Sequence, residues 1–323
     1  MRERTSTPPA VAAPASTTFG SQAEPPRTRS LKDYAQLLLK GFVMGSCDIV
    51  PGVSGGTMAL ILGIYEELIQ SIRGLVHRPF WRALVRGRLR DAFRVGNLSF
   101  LLAVGGGILL AVFSLAQLLE YLLVQQAVFV WSFFFGLIAA SVLTVGARIG
   151  RWTVPVSAMF VFGALFAFVL IGLTPTQTPE TPWFVFLSGV IAVCALVLPG
   201  ISGAFILVLL GKYQYILEAL NRGDAGTLLI LISGMVVGII SFTQVLGWFF
   251  RRYYDLTLAL LCGFMLGALR SVWPWKASDS AEALGVNVLP PVGPEIVAAL
   301  ACAAFGFALV YLFDRPAGRT APE

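Results

Sequence analysis

Two stretches of the chain read almost alike: DIVPGVSGGTMALILG at 48–63 and LVLPGISGAFILVLLG at 196–211. Each sets Pro-Gly, one further residue and then Ser-Gly inside an apolar run. Proline has no amide to donate and biases the residue before it away from helical geometry. A helix entering either stretch should therefore stop at Pro51 or Pro199. Serine is a favoured N-cap, so Ser54 and Ser202 stand where a second helix would begin. In the first copy that second helix is expected from about Gly55 to about Ser71. Unpaired backbone at membrane depth is tolerated only when buried in protein or lining a cavity. Two related breaks thus point to one shared central cavity.

The likeness extends beyond the motif. A shift of 148 pairs Pro51, Gly52, Ser54 and Gly55 with Pro199, Gly200, Ser202 and Gly203, then Leu62, Gly63 and Tyr65 with Leu210, Gly211 and Tyr213. Downstream, a shift of 127 pairs Gly107 with Gly234, Ser114 with Ser241, Gln117 with Gln244 and Gly136 with Gly263. Each half reads as a helical hairpin followed by three spans. Three crossings is an odd number, so the halves should lie in opposite orientations, the inverted-repeat plan of secondary transporters.

The 323 residues are 57% hydrophobic and 12% charged, against roughly 25% charged in soluble domains. Several runs reach the roughly 20 apolar residues that cross a hydrocarbon core. The expected fold is an all-α polytopic membrane protein with an inverted-topology repeat. Residues 1–30, rich in Pro, Ser, Thr and Ala, read as a disordered cytoplasmic tail without a signal-peptide core. Residues 31–173 form the first repeat, made of a hairpin at 31–72, an arginine-rich cytoplasmic loop at 73–97 and spans over 98–173. Residues 174–182 are an external linker, 183–315 the second repeat and 316–323 a cytoplasmic tail. This topology places both termini in the cytoplasm. It leaves only Lys212, Arg222, Arg270 and Lys276 outside it among the basic residues, as the positive-inside rule asks. Cys47, Cys194, Cys262 and Cys302 have no metal-ligand spacing, so no disulfide framework or metal site is expected.

The free amides of a helix start carry the positive end of the helix dipole and suit phosphate oxygens. Ser54, Gly55, Gly56, Thr57, Ser202 and Gly203 are accordingly candidates to hold a phosphate. DIVPGVSGGTMALILGIYEELI resembles the signature of a bacterial membrane family of polyprenyl-phosphate translocases, the PopT type, long catalogued as a domain of unknown function. LPGISGAFILVLLGKYQYIL resembles that family's second motif, with Ala204 and Phe205 where the first copy has Gly56 and Thr57. The resemblance covers about residues 31–315. It implies return of undecaprenyl phosphate from the outer to the inner leaflet of the bacterial cytoplasmic membrane, for reuse in peptidoglycan and other envelope polymers.

The remaining polar residues carry two readings each. Asp48 lies in a segment otherwise uncharged from Gly41 to Tyr65 and could carry a coupling proton or tie down the neighbouring helix. Glu66, the second candidate for a coupling proton, faces either the cavity or a solvated helix end. Lys212 and Arg270, basic residues on external halves of apolar helices, could attract an entering phosphate or reach to the interface. Gln117 and Gln244 could donate to the phosphate or join helices. The expected partners are a polyprenyl-phosphate lipid, membrane lipids and a coupling proton or cation, with no cofactor and no nucleic acid. The arginine loop, alternating with Leu, Trp and Phe, reads as an amphipathic segment on anionic lipid. An anion channel or ion-coupled small-anion transporter would use the same facing helix ends. A lipid phosphatase would need a histidine nucleophile or a metal cluster, and the one histidine, His77, lies in the arginine loop. No enzyme is expected.

Overall fold

A computed structural model describes residues 29–50, 53–277, 287–291 and 293–314. Among these the chain is helical, with one isolated bridge between Lys276 and Asn287. The first half forms α1 (Leu31–Asp48), α2 (Gly55–Ile61), α3 (Tyr65–Val76), α4 (Arg78–Val85), α5 (Leu89–Val95), α6 (Leu98–Gln125), α7 (Ala127–Gly146) and α8 (Val154–Ile171). The second forms α9 (Pro182–Val197), α10 (Gly203–Leu209), α11 (Tyr213–Arg222), α12 (Ala225–Arg252), α13 (Tyr254–Ala268) and α14 (Glu295–Asp314). Local chemistry sets the helix starts. Ser30 and Asp33 form a reciprocal capping box on α1, and Asp224 accepts from the Thr227 amide at the start of α12. Pro182 occupies the first turn of α9, where its missing amide costs nothing.

Helices α6, α7, α8, α12 and α14 are long and apolar enough to cross a membrane. At 1.5 Å per residue they measure about 27 to 42 Å, against a hydrocarbon core of about 30 Å. Large apolar side chains such as Phe113 and Leu229 point outward from them, which in a membrane means into lipid. The chain is a multi-pass membrane protein. Over its apolar window α7 is 56% buried, whereas the other four lie between 17% and 22%. Helix α7 is therefore central, and α13, with Leu258 through Met265 almost wholly enclosed, is its counterpart.

The hairpins differ from expectation in one respect. The piece after Ser54 ends at Ile61 rather than near Ser71. Gly63 adopts φ +69 and Gly211, its counterpart, φ +64, a left-handed turn that glycine enters without steric cost. Each motif therefore holds a seven-residue helix, about 10 Å long, with a separately directed helix after it. The bend from α10 to α11 is 102°. Pro51 and Gly52 lie outside the described residues, and α1 already ends at Asp48. At the second break α9 ends at Val197 and Leu198 is extended, the geometry a following proline imposes.

The packing is duplicated. Helix α1 packs on α6 as α9 packs on α12, and α7 packs on α14 as α13 packs on α8. The same close approaches recur in detail. A methyl on Gly41 would strike the Val104 carbonyl, and one on Gly189 the Leu231 carbonyl. Gly136 abuts Ala303 as Gly263 abuts Phe160, and Gly163 abuts Leu260 as Gly306 abuts Phe133. Small residues at these crossings let backbones meet, as membrane helices require for van der Waals association. Because α7 and α13 each take their partner from the other half, the two halves interlock.

Candidate functional site

The two broken segments meet. The Ser54 hydroxyl donates to the Leu198 carbonyl at 3.1 Å, and the Gly200 amide donates to Thr57 Oγ1 at 3.0 Å. The Tyr65 hydroxyl donates to the Val197 carbonyl at 3.0 Å. Two of these acceptors, Val197 and Leu198, belong to the end of α9, whose last carbonyls have no intrahelical donor. The first motif thus satisfies the backbone that the second break leaves open. Contact is close enough that a methyl on Gly56 would lie 2.8 Å from the Val197 oxygen. Ser54, Thr57 and Tyr65 are buried within the apolar core.

The two helix starts are unlike. At α2 the Gly55 amide donates to Asp48 Oδ1 at 2.6 Å, the Gly56 amide to Ser54 Oγ at 3.2 Å and the Thr57 amide to the Ser54 carbonyl. Every residue of α2 is buried. Its far end is held by cations: Arg148 donates to the Leu60 and Ile61 carbonyls at 3.0 and 3.1 Å, and Lys40 to Leu62 at 2.9 Å. An anion at the N-terminus and cations at the C-terminus complement the helix dipole. At α10 the position corresponding to Asp48 is Leu196, so no carboxylate caps the helix. Ser202 accepts only a long bond from the Phe205 amide, 3.5 Å. The Gly203 and Ala204 amides have no acceptor among the described residues. Ser202 is half-buried and Ala204 exposed. The first start is closed on itself; the second is open.

The other residues singled out from sequence are dispersed. Lys212 is buried, donates to the Thr178 carbonyl at 2.6 Å and lies over Phe184 and Tyr215. Arg270 donates to the Phe168 carbonyl at 3.1 Å and stacks over the Phe168 ring. The two are thus tied to different elements, the linker before α9 and the end of α8. Glu66 is half-buried and accepts from Tyr254. Gln117 is exposed on α6, while Gln244 accepts from Arg73 Nε at 3.0 Å. Their sequence pairing is not repeated in their contacts. Among the described residues no group of three or more His, Cys, Asp or Glu could hold a metal.

Tyr65, Arg148 and Lys40 were not singled out by their chemistry in the sequence. Tyr65 carried a signal, since it recurs as Tyr213 under the shift of 148. Arg148 served in the sequence only as a marker of a cytoplasmic loop.

Residues 44–285 match the profile of the family described as VCA0040-like, undecaprenyl phosphate translocase-like. The chain is 44% identical over 250 residues to a polyprenyl-phosphate transporter of Vibrio cholerae, covering 77% of this chain and 80% of that one. It is 34% identical over 255 residues to a polyprenyl-phosphate transporter of Staphylococcus aureus, covering 73% of this chain and 85% of that one. No solved structure matches significantly.

Proposed function

The chain belongs to the undecaprenyl phosphate translocase-like family, and on that premise we propose that it returns undecaprenyl phosphate from the outer to the inner leaflet of the bacterial cytoplasmic membrane. The observation that carries the site is the meeting of the two breaks through Ser54, Thr57 and Tyr65 on one side and Val197 to Gly200 on the other. A bare phosphate dianion moved through hydrocarbon would cost tens of kcal/mol by Born estimates. Polar backbone brought together from both faces of the membrane gives the head group a protein route while the prenyl tail stays in lipid.

The difference between the helix starts supplies an order of events. The head group first engages the open second motif, at Ser202 and the Gly203 and Ala204 amides. It reaches the first motif only when Asp48 leaves the Gly55 amide and the three bonds between the breaks give way. Asp48 is thus the carboxylate that holds the place of the phosphate at α2. Its protonation weakens that hold and makes a proton the coupling partner. The halves rock against each other as inverted repeats do. Both termini and the arginine-rich segment lie on the cytoplasmic side, and no bond of the substrate is made or broken.

The test is depletion of the protein in a strain lacking other translocases, with surface-exposed undecaprenyl phosphate measured on intact cells. Accumulation outside is expected. An unchanged outer pool removes the function proposed here.

A further inference from the structure

The arginine-rich segment folds into a small unit of its own. Helices α4 and α5 pack through Phe80, Ala83 and Ala92, apart from the main core. A cleft of ≈ 380 Å³ opens between them, lined by Arg82, Arg86, Arg88 and Arg94 with Asp91 as its one acid. Arg82 on α4 and Arg86 just past its end stand four residues apart, Arg88 directly precedes α5, and Asp91 and Arg94 follow at three-residue spacing on it, so all five line the one cleft. Asp91 is engaged with Arg88 at 2.6 Å. That leaves three guanidinium groups around one opening with no carboxylate paired to them among the described residues. Grouping like charges is unfavourable unless an anion neutralises them. Arginine is the side chain best suited to phosphate, which it grips with paired N–H groups.

A second set of residues tells where that anion lies. Trp81, Leu84 and Val85 on α4, and Leu89 and Phe93 on α5, are exposed, Val85 at 85% and Trp81 at 53%. Exposed apolar side chains beside arginines at helical spacing are the pattern of a segment seated at the lipid interface. The apolar stripe fits acyl chains and the adjoining cleft fits a head group.

We propose that the α4–α5 cleft is a binding site for the phosphate head group of an anionic phospholipid, held by Arg82, Arg86 and Arg94 while Trp81 and Val85 enter the same leaflet. The site is distinct from the meeting of the two breaks and does not depend on what the protein carries. Its function is to seat the arginine-rich unit on the membrane.

The experiment uses the full chain in nanodiscs of phosphatidylcholine, alone, with added phosphatidylglycerol, or with inorganic phosphate in the buffer. Hydrogen exchange of the amides at 78–95 is the readout. Phosphatidylglycerol should slow exchange there, and inorganic phosphate should not. Each arginine at an anionic surface contributes about fivefold in affinity. Arg86→Gln alone should therefore shift the phosphatidylglycerol dependence about fivefold, and R82Q/R86Q/R94Q on the order of a hundredfold. R78Q/R90Q, which removes the same type of charge outside the cleft, should lose only the general attraction of about fivefold per arginine, less than the triple variant. Unchanged exchange in α7 and α13 verifies folding. Three results overturn the proposal: protection of the triple variant equal to wild type, equal loss in R78Q/R90Q, or no response to phosphatidylglycerol. Protection by inorganic phosphate alone would assign the cleft to a soluble anion instead.

Discussion

At the scale of single residues, the double role proposed for Asp48 separates most clearly by substitution. Its Oδ1 takes the buried Gly55 amide, so removing the acceptor leaves a buried donor unmatched. Asp48→Ala should cost about 1–3 kcal/mol, read as a lower melting temperature in detergent. Asp48→Asn keeps a carbonyl oxygen for Gly55 and should melt near wild type while losing transport, because it can neither ionise nor exchange a proton. Wild-type transport with wild-type pH dependence in Asp48→Asn would reduce the residue to a structural cap. Lys276 makes a separate prediction. It donates to the Ser271 carbonyl at 2.6 Å, lies over Trp131 and is pushed by burial from 10.5 down to about 8. The folded chain therefore releases this proton before the unfolded chain does. Folding stability should rise as the pH climbs from about 8 to 10.5 and fall back as it descends. A thermal melt series should show this rise in wild type and not in Lys276→Met.

At the scale of elements, the seven-residue helices decide what the site can tolerate. Gly56 faces the Val197 carbonyl, which is backbone and cannot swing aside, whereas Gly105 on α6 has nothing within 4 Å of an added methyl. Gly56→Ala should destabilise by about 1–3 kcal/mol, as overpacking does, and abolish complementation of a translocase-deficient strain. Gly105→Ala should stabilise slightly, by about 0.5–1 kcal/mol from reduced backbone entropy. Equal behaviour of the two would mean that the breaks do not touch as described. The same helices mark where sequence reading reaches and where it stops. The breaks at Ser54 and Ser202 were legible because proline and serine act on their immediate neighbours. The early end of α2 was missed because Leu62 is a good helix former, although Gly63 and Gly211 recur at the same step of both copies. That Asp48 gives α2 a carboxylate acceptor while Leu196 gives α10 none was readable as a difference in residue type. The partners of Lys212 and Arg270 were not, because long side chains choose among carbonyls that only the folded chain brings near.

At the scale of the whole molecule, duplicated packing and an odd number of spans have a joint consequence. Three helices, α6, α7 and α8, separate the arginine-rich unit from the linker before α9, and each is long enough to cross. With all three crossing, those two segments would lie on opposite sides of the membrane, which is what the proposed inverted repeat requires of hairpins entering from opposite faces. In that arrangement the start of α2 and the end of α9, joined through Ser54 and Leu198, would meet within a core of about 30 Å. Single cysteines report this directly. In a background without Cys47, Cys194, Cys262 and Cys302, Glu180→Cys should react with a membrane-impermeant maleimide on intact cells. Arg90→Cys should react only after permeabilisation. Both positions are exposed, so a silent site would reflect the membrane and not burial. Labelling of both from one side would place the two motifs on a common face, and the contact of Ser54 with Leu198 could then no longer join the two surfaces of the bilayer.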